Sequence, residues 1–217
     1  DAAADAIIGG IFEGSGQSCV AGSRLFVQRS IRDAFVGRIV ERARALRVDL
    51  PDAPGAQMGP IASFGHRERI EAMVDGARGR GVEVLCGAER PADARLAAGA
   101  FYRPTVLAPA DGGDPIVREE IFGPVLCALA FDDEADLVAQ ANDSVYGLAA
   151  GIWTRDFGRA WRIARALAAG TVWINTYKQL SISTPFGGFK DSGLGREKGI
   201  GGLRLYQQGK SIYVATR

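Results

Sequence analysis

PVLCALAF, residues 124–131, is apolar nearly throughout. A strand with one wet face alternates apolar and polar residues, whereas this one offers both faces to a core, as strands do in parallel sheets covered by helices. Outward in both directions, helix and strand patterns alternate. On the N-terminal side, small and apolar residues from Ala2 to Phe12 predict a buried helix that Gly14 to Gly16 would end, RLFV (24–27) predicts a strand, and apolar residues at 31, 35, 39, 43 and 46 predict a helix with Ser30 as its N-cap. A further helix is expected from Ser63 to about Arg80, then strands from Val82 (VEVLCG) and from Tyr102 (YRPTVLA). On the C-terminal side, a helix over Asp132–Asn142, a strand over Leu148–Thr154, a helix over Asp156–Ala168 and a strand over Gly170–Thr176 follow. This alternation predicts an α/β fold with an open, largely parallel sheet flanked by helices. Thr184–Gly202 is glycine-dense and reads as loop and short turns, and KSIYVAT (210–216) reads as a last strand without a sequential partner.

Composition narrows the function. With 217 residues the chain can bury a core of its own, which favours one large domain, and a net charge of +1 from 26 basic and 25 acidic residues gives no reason to expect nucleic acid or a membrane surface as partner. Cys19, Cys86 and Cys127 are too widely and irregularly spaced for a metal site or a disulfide framework, which fits a reducing cytoplasm. No apolar run reaches the roughly 20 residues of a bilayer span. GLGREKG from Gly193 resembles a dinucleotide fingerprint only superficially, because no apolar strand leads into it and 22 residues follow Gly195. His66, the only histidine, lies among Arg67, Glu68 and Arg69 and reads as part of a solvated helix face rather than as a partner of a catalytic thiol.

Two stretches carry chemistry. In GSGQSCVAGSR (14–24), small and polar residues surround Cys19, so the backbone can bend and a ligand can approach the thiol. REEIFGPV (118–125) sets two carboxylates and Phe122 beside a Gly-Pro turn at the mouth of the buried strand. Such a pair is either a solvated turn or part of a ligand site at the sheet edge.

GQSC (16–19), EEIFGPV (119–125), NTY (175–177) and PFGGFKDSGLGRE (185–197) together resemble, in order and separation, the catalytic-domain motifs of the aldehyde dehydrogenase superfamily. The resemblance spans essentially the whole chain. It implies that Cys19 is the nucleophile: its thiolate adds to an aldehyde carbon, hydride leaves to the nicotinamide of NAD or NADP, and the resulting thioester is hydrolysed. The resemblance further implies that Glu120 binds the nicotinamide ribose, that Phe122 packs beside it, and that Ser18, Val20 and Phe186 line the aldehyde tunnel. The backbone N–H of Cys19 would donate to the oxyanion. No metal is implied. The family's dinucleotide-binding domain, the glutamate base of its ELGG-type motif and an oxyanion-hole amide lie upstream of the matched segment. The expectation is therefore a catalytic domain over 1–195 and a C-terminal tail over 196–217 with an oligomerisation strand, belonging to a homo-oligomer (dimer or tetramer). It is read as the inactive C-terminal portion of a longer cytoplasmic enzyme. Two other readings stay open: a CoA-acylating relative, and a non-catalytic fragment that acts only by assembly.

Overall fold

The computed structural model describes residues 1–217. Its centre is β4 (Val125–Phe131), the strand of PVLCALAF, paired on both sides. On one side it runs parallel to β1 (Arg24–Gln28), with Arg24 opposite Cys127 and Gln28 opposite Phe131. On the other it runs parallel to β3 (Thr105–Ala108), and β2 (Glu83–Cys86) closes the sheet antiparallel to β3, giving the order β1-β4-β3-β2.

Alternation along β4 divides the core. Val125, Cys127 and Leu129 face a cluster with Ile70, Val74 and Ala77 of α3 (Phe64–Gly79), while Leu126 faces the opposite layer with Ile11 and Phe12 of α1 (Ala2–Phe12) and Ile39 of α2 (Arg32–Ala45). Both layers are built of buried apolar side chains, which is why the strand tolerates no polar one; each fully buried aliphatic residue contributes about 1.5–3 kcal/mol. α3 falls where the Ser63–Arg80 helix was expected, and Ser63 caps it, accepting from the N–H of His66 at 3.2 Å. Ser30 does not cap α2. Arg29–Ile31 form a 3-10 turn that runs straight into the helix, whose N-cap is Ile31 without a side-chain bond.

Asp114 caps the short helix α4 (Pro115–Arg118), which leads into the Glu119–Pro124 turn. After β4, α5 (Glu134–Asn142) crosses to β5 (Tyr146–Gly147) and β6 (Ala149–Ile152), and α6 (Phe157–Ala166) leads to β7 (Thr171–Ile174). β6 and β7 are parallel but hydrogen-bond to each other alone, so the expected single sheet is divided in two. β1 and β6 each keep one edge unpaired, and residues of both strands line one cleft. β5 pairs antiparallel with β8 (Phe189–Lys190) inside the glycine-dense segment, and α7 (Gly199–Arg204) follows. The expected strand at Lys210–Thr216 is not formed. The segment has no ladder partner in this chain, and Ile212, Tyr213 and Val214 stand in solvent. A strand exists only through a neighbour's hydrogen bonds, so apolar pattern alone does not produce one. No helix is long and apolar enough to cross a membrane.

Candidate active site

The nucleophile loop is built by three consecutive left-handed residues. Gly14, Ser15 and Gly16 have φ of 64°, 58° and 70°, which stops α1 and turns the chain back over the sheet. Gly16 is required twice: for its φ, and because a Cβ there would overlap the carbonyl of Gly123 and lie 2.7 Å from the nitrogen of Pro124. The backbone of the cysteine loop thus rests directly on the backbone of the EEIFGPV turn. Two side chains fasten the loop from below. Buried Ser15 donates to Gly59 O at 2.9 Å, and Gln17 Oε1 accepts from the N–H of Ala62 at 2.8 Å. Residues 18–21 then form a tight turn, closed by Ala21 N–H donating to Ser18 O at 2.9 Å. Cys19 occupies its second position, and the N–H of Cys19 has no backbone acceptor.

Of the three thiols, Cys19 alone is exposed. Burial pushes the Cys86 thiol above its ordinary range and the Cys127 thiol up to about 12. Those two are core residues on β2 and β4.

Across the Gly16–Gly123 contact, the turn holds Glu120 and Phe122. Glu120 is exposed, and Phe122, 36 % exposed, has a left-handed φ of 55°. Two residues of α3, one turn apart on the same face, hold that shape: Arg69 donates to Glu120 O at 2.8 Å and to Ile121 O at 3.1 Å, and His66 Nε2–H donates to Phe122 O at 2.7 Å. The His66 ring stands 6.2 Å from that of Phe122. His66 is therefore not merely a solvated face residue. A free carboxylate beside an exposed aromatic ring, both on a braced turn, fits a ribose with its attached nicotinamide.

Cys19, Val20 and Glu120 line the cleft between β1 and β6, whose volume is about 930 Å³. Ser18, Phe122 and Phe186 are not among its lining residues. Phe186 is half-buried in the glycine-dense segment, where its N–H donates to Glu197 O at 2.9 Å and Lys198 Nζ lies 5.6 Å from its ring centre. Cys19 and the Glu120 turn are thus brought together, and Phe186 is left apart from them in this chain.

The sequence matches the aldehyde dehydrogenase family model over residues 1–212. The chain belongs to the aldehyde dehydrogenase family. Among curated aldehyde dehydrogenases it is 44 % identical over 207 residues to the betaine aldehyde dehydrogenase of Mesorhizobium japonicum, covering 95 % of this chain and 42 % of that one. Against the betaine aldehyde dehydrogenase of Brucella melitensis the identity is 42 % over 218 residues, covering 99 % and 45 %. Betaine aldehyde dehydrogenase of Staphylococcus aureus, solved in complex with NAD+, superposes with a TM-score of 0.92 at 40 % identity, over 94 % of this chain and 41 % of that chain. HpcC of Thermus thermophilus gives the same TM-score at 38 % identity, over 99 % and 44 %. The chain spans less than half the length of each of these four proteins.

Sequence reasoning missed His66, Arg69 and Gln17 as parts of the site. Their signal is weak, because each acts on a backbone carbonyl or N–H far away in sequence. Only the three-residue spacing of His66 and Arg69 hints at one shared target.

Proposed function

We propose that this chain is the nucleophile-bearing part of an NAD(P)-dependent aldehyde dehydrogenase that oxidises an aldehyde to a carboxylic acid. One observation carries the reading: the backbone contact of Gly16 with Gly123 and Pro124, which sets the only exposed thiol beside the braced Glu120 turn. Cys19 Sγ, as thiolate, forms a bond to the aldehyde carbon while the carbonyl π pair moves to oxygen, and the free N–H of Cys19 donates to that oxygen. Glu120 accepts hydrogen bonds from the nicotinamide ribose, and Phe122 packs beside it. The bound cofactor supplies the hydride acceptor. Water then displaces Cys19 Sγ from the acyl carbon. Ser18, Val20 and Phe186 belong to the aldehyde tunnel in this reading, with Phe186 reaching it in the complete enzyme. The relatives' name makes betaine aldehyde the first substrate to assay, with NAD+ tried before NADP+.

The same reading treats residues 1–195 as the catalytic domain and 196–217 as a tail whose apolar segment at 210–216 pairs with another subunit of a homo-oligomer, in the cytoplasm. The isolated chain is folded but does not turn over aldehyde. The test is NADH production from betaine aldehyde by a full-length enzyme carrying this segment. Cys19→Ala abolishes it, and NADH production surviving in that variant would refute the assignment. Acid produced at the same rate with and without added CoA excludes the CoA-acylating route.

A further inference from the structure

The Tyr177 ring lies between α1, β6 and the cysteine loop, and two glycines make room for it. A Cβ at Gly10 of α1 would lie 2.9 Å from one ring edge (Cδ1), and a Cβ at Gly151 of β6 would lie 2.6 Å from the opposite edge (Cδ2). A Cβ at Gly22, just after the nucleophile turn, would lie 3.4 Å from the hydroxyl. Neither Gly10 nor Gly151 has a left-handed φ, so glycine is there for space and not for conformation. The indole of Trp173 packs against the ring at a tilt of 60°, with ring centres 4.9 Å apart. At the end of this socket the hydroxyl donates to Val20 O at 3.1 Å, and burial pushes the phenol up to about 12, so it stays a donor at any physiological pH.

Val20 is the third residue of the turn in which Cys19 is the second. Tyr177 holds the carbonyl of the Val20–Ala21 peptide, the N–H of that same peptide closes the turn on Ser18 O, and Ser18 O shares its peptide with the Cys19 N–H. We infer that Tyr177 is a positioning residue for the nucleophile, holding the Cys19 N–H where an aldehyde-derived oxyanion forms. The inference rests on the reading of Cys19 as nucleophile. It adds that the alignment is delivered from β7 and its following loop, through a ring seated in a glycine socket.

Two reactions of Cys19 separate alignment from access. Alkylation by iodoacetamide needs a reachable thiolate but no oxyanion donor, whereas acetaldehyde protects that thiol by forming a thiohemiacetal whose oxygen is stabilised by the aligned N–H. In the 217-residue chain, Tyr177→Phe keeps the ring and removes the donor. The acetaldehyde concentration giving half-protection of Cys19 is expected to rise about five-fold, the worth of one net hydrogen bond. The iodoacetamide rate should stay within about two-fold and Cys86 and Cys127 should stay protected. Gly10→Ala, which favours the helix but displaces the ring, should raise the half-protecting concentration in the same direction. Unchanged protection in both variants overturns the inference. So does a parallel loss of alkylation and protection with Cys86 or Cys127 becoming reactive, the mark of a packing role alone. Absence of acetaldehyde protection in the unsubstituted chain would instead bring down the nucleophile reading itself.

Discussion

Replacing Gly16 with alanine tests whether the cysteine loop and the Glu120 turn form one unit. The cost has two parts. A φ of 70° costs a residue with a Cβ about 1–2 kcal/mol. The new methyl also overlaps Gly123 O and crowds Pro124 N, both backbone atoms that cannot rotate away, and overpacking of that kind costs about 1–3 kcal/mol more. Gly14→Ala is the internal control, since Gly14 has a similar φ of 64° but nothing within 4 Å of where its Cβ would stand. Gly14→Ala should therefore show the conformational part alone, and Gly16→Ala should lose about 1–3 kcal/mol beyond it. At about 2–4 °C per kcal/mol for a domain of this size, thermal unfolding resolves the two. Iodoacetamide labelling of Cys19 at about 25 °C reports the functional side, and its rate should change in Gly16→Ala but not in Gly14→Ala. Equal melting temperatures and equal labelling rates in the two variants would refute the claim that this contact builds the site.

Further expectations concern the core, pH and assembly. Leu126→Ala removes a fully buried side chain from the layer under α1 and α2 and should cost about 2–5 kcal/mol in urea unfolding. The Asp114 carboxyl is held below the usual carboxylate range by its paired bonds from Arg80, at 2.8 and 2.6 Å. A depressed folded value means that its stabilisation is complete above the unfolded value of about 3.9 and is lost as pH falls through the folded one, so Asp114→Asn should be destabilised by about 1 kcal/mol or less at pH 7 and by progressively less as the pH is lowered below about 3.9. The exposed apolar tail should make the chain self-associate in light scattering, and Ile212→Asp with Val214→Asp should reduce the association.

What can be read without coordinates follows the range of the forces involved. The two-faced burial of β4, the apolar stripe of α2 and the extent of α3 from Ser63 are local patterns, and each stands in the structure. Cys19 and the EEIFGPV turn are legible as motifs, yet that they touch through Gly16 and Gly123 is a tertiary fact that two glycines conceal. His66 and Arg69 bind carbonyls, which every residue has, so their targets leave no trace in sequence. The strand pattern at 210–216 is legible too, but it has no ladder partner in this chain. The division between β1 and β6 is equally invisible, because both strands carry ordinary strand sequences.

The most direct test of the account is a timed map of iodoacetamide labelling at all three thiols, with and without betaine aldehyde. Cys19 should label first and be protected by the aldehyde, while Cys86 and Cys127 remain unlabelled until the chain unfolds. Faster labelling of either buried thiol, or a Cys19 rate indifferent to aldehyde, would contradict the assignment of Cys19 as the group that attacks the substrate.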